Sequence, residues 1–148
     1  MYPTFSTGDY LIVDKLSYEI GVPKRNSVIV FRYPNDPKKS FIKRIIGLPG
    51  ETVVMKSDEL TIVNSENPKG MTIDQSYLVA KCQNQAICAL SFEKTLASDE
   101  YFVMGDNRAE SFDSRSWGPL KKKFILGEPI VRLWPLNQMG VLPGQDKK

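Results

Sequence analysis

With 148 residues, 41% of them apolar and 25% charged, the chain is long enough and apolar enough to bury a core as one compact domain, which excludes a disordered segment. Its net charge of +3, from 20 basic and 17 acidic residues scattered apart from Lys121-Lys122-Lys123, gives no support to nucleic-acid binding. Histidine is absent, so His-assisted nucleophiles, His-ligated metals and imidazole bases are excluded and any proton acceptor has to be a carboxylate or a lysine.

In chain order, short runs rich in Val, Ile, Phe and Tyr, bounded by Gly, Pro, Asn and Asp, predict strands at Tyr10–Asp14, Ser27–Arg32, Phe41–Ile46, Glu51–Met55, Leu60–Val63, Gln75–Val79, Ala89–Phe92, Tyr101–Met104 and Pro129–Trp134. Turn signals at Gly8-Asp9, Tyr33–Pro37, Leu48-Pro49-Gly50, Asn67-Pro68 and Gly118-Pro119 fall between them at hairpin-like intervals. Helix is confined to short turns near Leu16–Ile20 and Lys121–Phe124, and the tail Gly140–Lys148 should fray. No run approaches the ~18 consecutive apolar residues of a membrane span, and no basic segment followed by an apolar run opens the chain.

The reading is mainly β and a single domain over 1–148, with a core from 1–55 and 100–140. Residues 56–99 are polar, carry both cysteines and read as a cap or inserted subdomain. Two cysteines are too few for a structural zinc site, and no metal site is expected. The spacing of Cys82 and Cys88 would close a short loop, which leaves a disulfide and two reduced thiols both open.

The segment Phe41-Ile42-Lys43-Arg44-Ile45-Ile46-Gly47-Leu48-Pro49-Gly50-Glu51 puts a lysine inside an apolar strand that ends at a Gly-Leu-Pro-Gly turn. Alternation sets Lys43 on the face opposite Ile42 and Arg44, so only one of the two cations should face the core. A lysine with its reference pKa near ~10.4 is charged at neutral pH, but burial lowers that by up to ~3 to 5 units and so turns lysine into a base. The plain alternative is a strand-edge lysine that reaches water along its stem. A second dense segment, Gly105-Asp106-Asn107-Arg108-Ala109-Glu110-Ser111-Phe112-Asp113-Ser114-Arg115, follows a strand. Its two arginines oppose a calcium site. A supporting scaffold fits better, with Asp113 and Arg115 as a charge-assisted pair and Ser111 presenting a hydroxyl.

Together with Met1-Tyr2-Pro3-Thr4-Phe5 ahead of Gly8-Asp9-Tyr10-Leu11-Ile12-Val13, these segments resemble the type I signal peptidases. That family has a Ser-Met-x-Pro-Thr segment, a Lys-Arg-x-x-Gly-x-Pro-Gly-acidic segment and a Gly-Asp-Asn-Arg-x-x-Ser-x-Asp-Ser-Arg box. Every defined position of the last is matched at 105–115, and Ser27–Asp36 matches the strand and loop leading into the lysine strand. The resemblance implies a twisted antiparallel β fold of the signal-peptidase and LexA type with a small β cap. It implies a serine endopeptidase, a hydrolase that removes signal peptides from exported pre-proteins with a Ser/Lys dyad and no cofactor. Lys43 is then the general base, Ser111 orients its amine, and Asp113 with Arg115 holds the wall around it. Met1, Phe5, Leu11, Val30 and Ile42 become candidates for the substrate pocket, with core packing the competing reading for Leu11 and Val30.

The same resemblance places the nucleophilic serine immediately before Met1, and an oxyanion-hole hydroxyl and a membrane anchor upstream, so the chain as given is expected to be inactive. A trimmed fragment, a start called too late and an inactive signal-peptide-binding relative all account for this. Truncation is the expectation, since the lysine and the third box look built for catalysis. Ser6 lies on the wrong side of the Met-x-Pro segment. Signal peptides and a lipid surface are the implied partners, with Trp134-Pro135-Leu136 and Val141-Leu142-Pro143 as candidate lipid contacts. The outer face of the bacterial plasma membrane is the implied location, one that suits a Cys82 to Cys88 disulfide. Competing readings are a LexA-type self-cleaving repressor, which lacks the Gly-Asp-Asn-Arg box, and a β module that binds extended peptides with Lys43 charged and exposed. A purely structural domain would leave the Lys43 strand and the 105–115 loop far apart.

Overall fold

A computed structural model describes residues 1–16, 21–56, 59–78 and 91–142. The β-branched and aromatic runs form eleven strands among these residues. They are β1 (Tyr10–Asp14), β2 (Val28–Tyr33), β3 (Asp36–Gly47), β4 (Thr52–Lys56), β5 (Glu59–Val63), β6 (Met71–Thr72), β7 (Phe92–Thr95), β8 (Glu100–Met104), β9 (Leu120–Lys121), β10 (Ile125–Trp134) and β11 (Gly140–Val141). One helical turn, α1 (Ser114–Trp117), precedes β9.

The strands form two antiparallel sheets. The larger runs β1-β10-β2-β3-β8-β9 with β11 paired to β10, and the smaller runs β6-β5-β4-β7 and is drawn entirely from residues 52–95. Strands β2 and β3 form a hairpin across Pro34-Asn35, with Tyr33 paired to Asp36. Strand β3 is the longest at 12 residues; its first half is exposed, and its last four residues are buried between neighbours on both sides. At its end a Cβ on Gly47 would lie 2.5 Å from Val53 Cγ2 and 2.8 Å from Leu96 Cδ1, so only glycine lets the chain cross into the smaller sheet there. Glu51 then fixes the turn: it accepts from the Leu48 amide at 2.8 Å and from Asn64 at 2.9 Å, and it pairs with Arg25.

Three apolar clusters follow from the faces of β3. Ile46 joins Val53, Leu60, Ile62, Leu96, Phe102 and Met104, which locks the two sheets together. Ile45 faces the other way, into Ile29, Phe31, Tyr101, Val103 and Leu120, with Phe41 and Trp117 alongside. Phe5, Val28 and Leu142 form a third cluster flanked by Met1, Leu11 and Ile42.

Four expectations need correction. Gln75–Val79 forms no strand through Leu78; the segment turns, because Gln75 and Tyr77 point their polar ends into the larger sheet's loop instead of a ladder. The strand placed at Ala89–Phe92 runs from Phe92 to Thr95. The tail does not fray at Gly140: β11 pairs with β10, and Leu142 is buried against Phe5 and Val28. Finally, Lys43 and Arg44 are both drawn in from water, Lys43 partly and Arg44 fully, because both faces of β3 are covered in its second half. The Cys82 and Cys88 pairing, and the helical turn at Leu16–Ile20 beyond Leu16, lie outside the described residues. No helix among the described residues is long and apolar enough to cross a membrane.

Candidate active site

Lys43 leaves β3 between Phe41 and Ile45, opposite Ile29 of β2. Its amine stands 5.7 Å from the centre of the Phe41 ring and has no ion pair among the described residues. Burial pushes its pKa below the ordinary 10.5; the Asp113 and Asp106 carboxylates pull part of the way back, and Arg115 adds to the lowering. Arg44, on the other face, keeps its charge: Asp106 takes its Nε at 3.0 Å and its Nη2 at 2.8 Å, and the Asn26 carbonyl takes Nη1 at 2.8 Å. Adjacent positions on one strand thus hold a fully paired cation and an unpaired one.

The loop after β8 supplies the rest. Asp113 is fully buried and accepts from the Gly105 amide at 3.1 Å, from Arg115 Nε at 2.9 Å and from Arg115 Nη2 at 2.8 Å. It also caps α1 through the Arg115 amide. Arg115 Nη2 reaches back to the Arg108 carbonyl at 2.7 Å, which closes the loop on itself. Ser114 Oγ accepts from the Val103 amide at 3.0 Å and ties the loop to β8.

These bonds deliver Ser111 to Lys43. A Cβ built on Gly105 would come within 2.2 Å of Ser111 Oγ and 3.6 Å of Lys43 Cδ, so the lysine stem, the serine and the Gly105 backbone meet at one point that tolerates no side chain there. The Ser111 hydroxyl is buried and has no hydrogen-bond partner among the described residues. Because it makes no bond, Ser111→Ala is expected to unfold thermally no lower than the parent, and higher by the equivalent of about 1 kcal/mol if the orphan hydroxyl carries its usual penalty. A melting point several degrees lower would contradict this geometry.

Lys43 and Ser111 face a cleft of about 520 Å³ also lined by Met1, Tyr2, Phe5, Ser6, Thr7, Phe41, Ile42, Asn107, Glu110 and Phe112. Of the pocket candidates, Met1, Phe5 and Ile42 are walls of this cleft, whereas Leu11 and Val30 are not. Leu11 packs against the Phe5 cluster, and Val30 pairs across the ladder with Ile42. Met1 and Lys43 line the same cleft, where burial and the Lys43 ammonium both hold the Met1 amine below its ordinary value. The Met1–Phe5 segment is held from two sides: Thr4 Oγ1 donates to Asp106, and Arg132 reaches the Thr4 carbonyl while pairing with Asp9 at 3.3 Å.

Sequence reasoning missed Asp106 and Arg44 as a pair, Gly105 as the contact point, and Tyr77. The first three lie inside quoted motifs, but a bond between residues 44 and 106 leaves no trace in spacing. Tyr77 has no motif at all. No group of three or more acidic or cysteine side chains that could hold a metal ion occurs among the described residues.

Residues 1–134 match the family "Signal peptidase, peptidase S26". The chain is 37% identical over 150 residues to signal peptidase I of Leptolyngbya laminosa, an alignment covering 96% of this chain and 68% of that protein. It is 35% identical to the probable signal peptidase I-2 of a Synechocystis strain, covering 96% and 62%, and 37% identical to signal peptidase I of Bacillus caldolyticus, covering 93% and 76%. It therefore spans 62 to 76% of the length of these relatives. A crystal structure of a signal peptidase I from Enterococcus faecalis V583 superposes with a TM-score of 0.59 at 33% identity, covering 72% of this chain and 95% of that one.

Proposed function

Because the chain belongs to the signal peptidase, peptidase S26, family, we propose that it is the catalytic part of a serine endopeptidase that removes signal peptides from exported pre-proteins. In this reading Lys43 is the base, and a serine joined to the Met1 nitrogen is the nucleophile. The observation that carries it is an unpaired, half-buried lysine amine beside an orphan serine hydroxyl and the Met1 nitrogen, at the wall of an open cleft.

The chemistry follows from the pieces. Neutral Lys43 accepts the nucleophile's proton as its oxygen bonds to the peptide carbonyl carbon; the ammonium then gives that proton to the departing amine as the carbon–nitrogen bond breaks. Water, deprotonated by the same amine, releases the acyl group. Ser111 packs beside the Lys43 stem at Gly105, where its free hydroxyl can meet the amine once substrate is bound, and Arg115, held by Asp113, reaches the Ser111 carbonyl. Residues 36–43 of β3 run beyond the end of β8 and have no strand on that side among the described residues, so an extended substrate can add to this edge. The walls formed by Met1, Phe5 and Ile42 leave room for small apolar side chains next to Lys43.

The partner surface is lipid. Tyr10, Leu133, Trp134, Leu136, Met139 and Val141 are all exposed on β1, β10, β11 and the turn between the last two, an apolar area suited to a membrane face. This fits work at the outer side of the bacterial plasma membrane.

The test compares the chain as given with a chain extended upstream by Ser-Gly-Ser before Met1, on a signal-peptide substrate with and without anionic phospholipid vesicles. Only the extended chain should cleave, and faster with vesicles. Cleavage by the chain as given would refute the assigned nucleophile, silence from a folded extended chain would make it a binding-only relative, and a rate indifferent to vesicles would remove the lipid partner.

A further inference from the structure

Tyr77 follows β6 in the stretch between two strands of the smaller sheet, yet its side chain contacts both charge networks around Lys43. The Arg44 guanidinium lies 4.4 Å from the centre of its ring. Its hydroxyl accepts from Arg108 Nη2 at 2.9 Å, and beside it Gln75 Oε1 accepts from Arg108 Nη1 at 2.8 Å. On one side, Arg44 grips Asp106, which takes the Thr4 hydroxyl and so anchors the Met1–Phe5 segment. On the other, the Arg108 carbonyl receives Arg115, the partner of Asp113.

We propose that Tyr77 is a positioning residue for the peptidase reaction, holding Arg44 and Arg108 so that Asp106 and the 105–115 loop stay in register with Lys43. An aromatic face between two guanidinium groups is attracted to one while its oxygen takes the other, which offsets the repulsion between the like charges. Arg108 is the more dependent of the two. It is buried, and among the described residues its Nε has no partner and its terminal nitrogens bond to Tyr77, Gln75 and, at 3.6 Å, the Met104 sulfur. Without Tyr77 its cheapest route back to solvation is outward, and its own carbonyl, the seat of Arg115, moves with it.

The consequence reads out at Lys43, whose charged surroundings are Asp106, Asp113 and Arg115, with Glu110 in the same cleft; in the serine-extended chain the Met1 nitrogen is an uncharged amide. A loosened Arg44 leaves the Asp106 charge less neutralised and admits water, and both favour the ammonium. The inference rests on the peptidase reading for its catalytic meaning, but Lys43 can be titrated whether or not the chain cleaves. The experiment follows the Lys43 Cε resonance by NMR against pH in the serine-extended chain, its Tyr77→Leu variant and its Tyr77→Phe variant, with kcat and KM measured alongside.

Tyr77→Leu should move the Lys43 titration upward by roughly half a unit or more and lower kcat by about 10- to 100-fold with KM nearly unchanged. Tyr77→Phe, which keeps the ring on Arg44 and loses only the Arg108 bond, should show a smaller shift in the same direction. An unchanged Lys43 titration in both, even with a lower melting temperature, would show that Tyr77 only packs and would overturn the inference. If Tyr77→Leu does not fold, Tyr77→Phe decides alone, an upward shift supporting positioning and no shift refuting it. A shifted titration in a chain that never cleaves would count against the peptidase reading and leave this one standing.

Discussion

Replacing Lys43 with methionine in the serine-extended chain is expected to reduce cleavage by on the order of 10⁴-fold or more, the loss typical when one member of a nucleophile–base pair is removed, and to raise the melting temperature at neutral pH. The two effects have one cause. Burial holds the Lys43 pKa in the folded protein below the 10.5 of the unfolded chain, so the unfolded state binds the proton more tightly. Stability therefore rises with pH between the folded and the unfolded pKa, and the penalty is fully present below the folded pKa and gone above about 10.5. Methionine keeps the unbranched lysine stem to within one atom and drops the charge, so its advantage in melting temperature should be largest at neutral pH and shrink as the pH approaches 10.5. In the parent, kcat/KM should climb with pH as Lys43 loses its proton, with the rise centred below 10.5. A variant that still cleaves at a tenth of the parental rate removes Lys43 from the chemistry. One that melts lower than the parent shows the amine is held by partners rather than stranded.

Four strands of the larger sheet were legible because each is a short β-branched run between strong turn signals: β1, β2, β8 and the buried half of β3 fall within a residue or two of the pattern, whereas β9, β11 and the first half of β10 were not marked as strands. The exposed half of β3 was not, since Asp36-Pro37-Lys38-Lys39 carries turn chemistry and becomes strand only through its hairpin with β2. Likewise Gln75–Leu78 has the alternation of a strand but is recruited by Arg108, a tertiary contact that local pattern does not record. Within the site, Lys43, Ser111, Asp113 and Arg115 stood out through the family motifs, and the structure brings all four to one place. Periodicity alone misjudged the neighbouring cation, because it cannot tell that Arg44 has a carboxylate waiting on what the alternation marks as the second face. Leu11 and Val30 mark the opposite failure, for residues on one strand pattern can serve a core or a cleft and only the third dimension separates them.

Asp113→Ala is expected to cost about 3 to 5 kcal/mol of folding stability, since it leaves an arginine charge buried without its partner. Both side chains of the Asp113–Arg115 pair are fully enclosed, and among the described residues Arg115 pairs with no other carboxylate and its Nη1 already lacks an acceptor. The loss of the α1 cap and of the Gly105 amide bond falls on the same residue and does not add independently. The double variant Asp113→Asn with Arg115→Met should recover most of the stability in denaturant unfolding, because removing both charges of a buried pair is far milder than removing one. Any cleavage that survives in Asp113→Asn should have its pH dependence shifted downward, opposite in sign to the Tyr77 variants. Asp113 raises the Lys43 pKa and Arg115 lowers it, so losing the carboxylate leaves two lowering influences and one fewer raising one. If the double variant were as unstable as Asp113→Ala, the pair would matter for its hydrogen bonds to the loop more than for its charge. If the pH dependence moved upward instead, water entering the opened loop would outweigh the missing carboxylate. The pair is thus asked to do two separable things, to hold the 105–115 loop closed and to set the field in which Lys43 gives up its proton, and the two measurements read them independently.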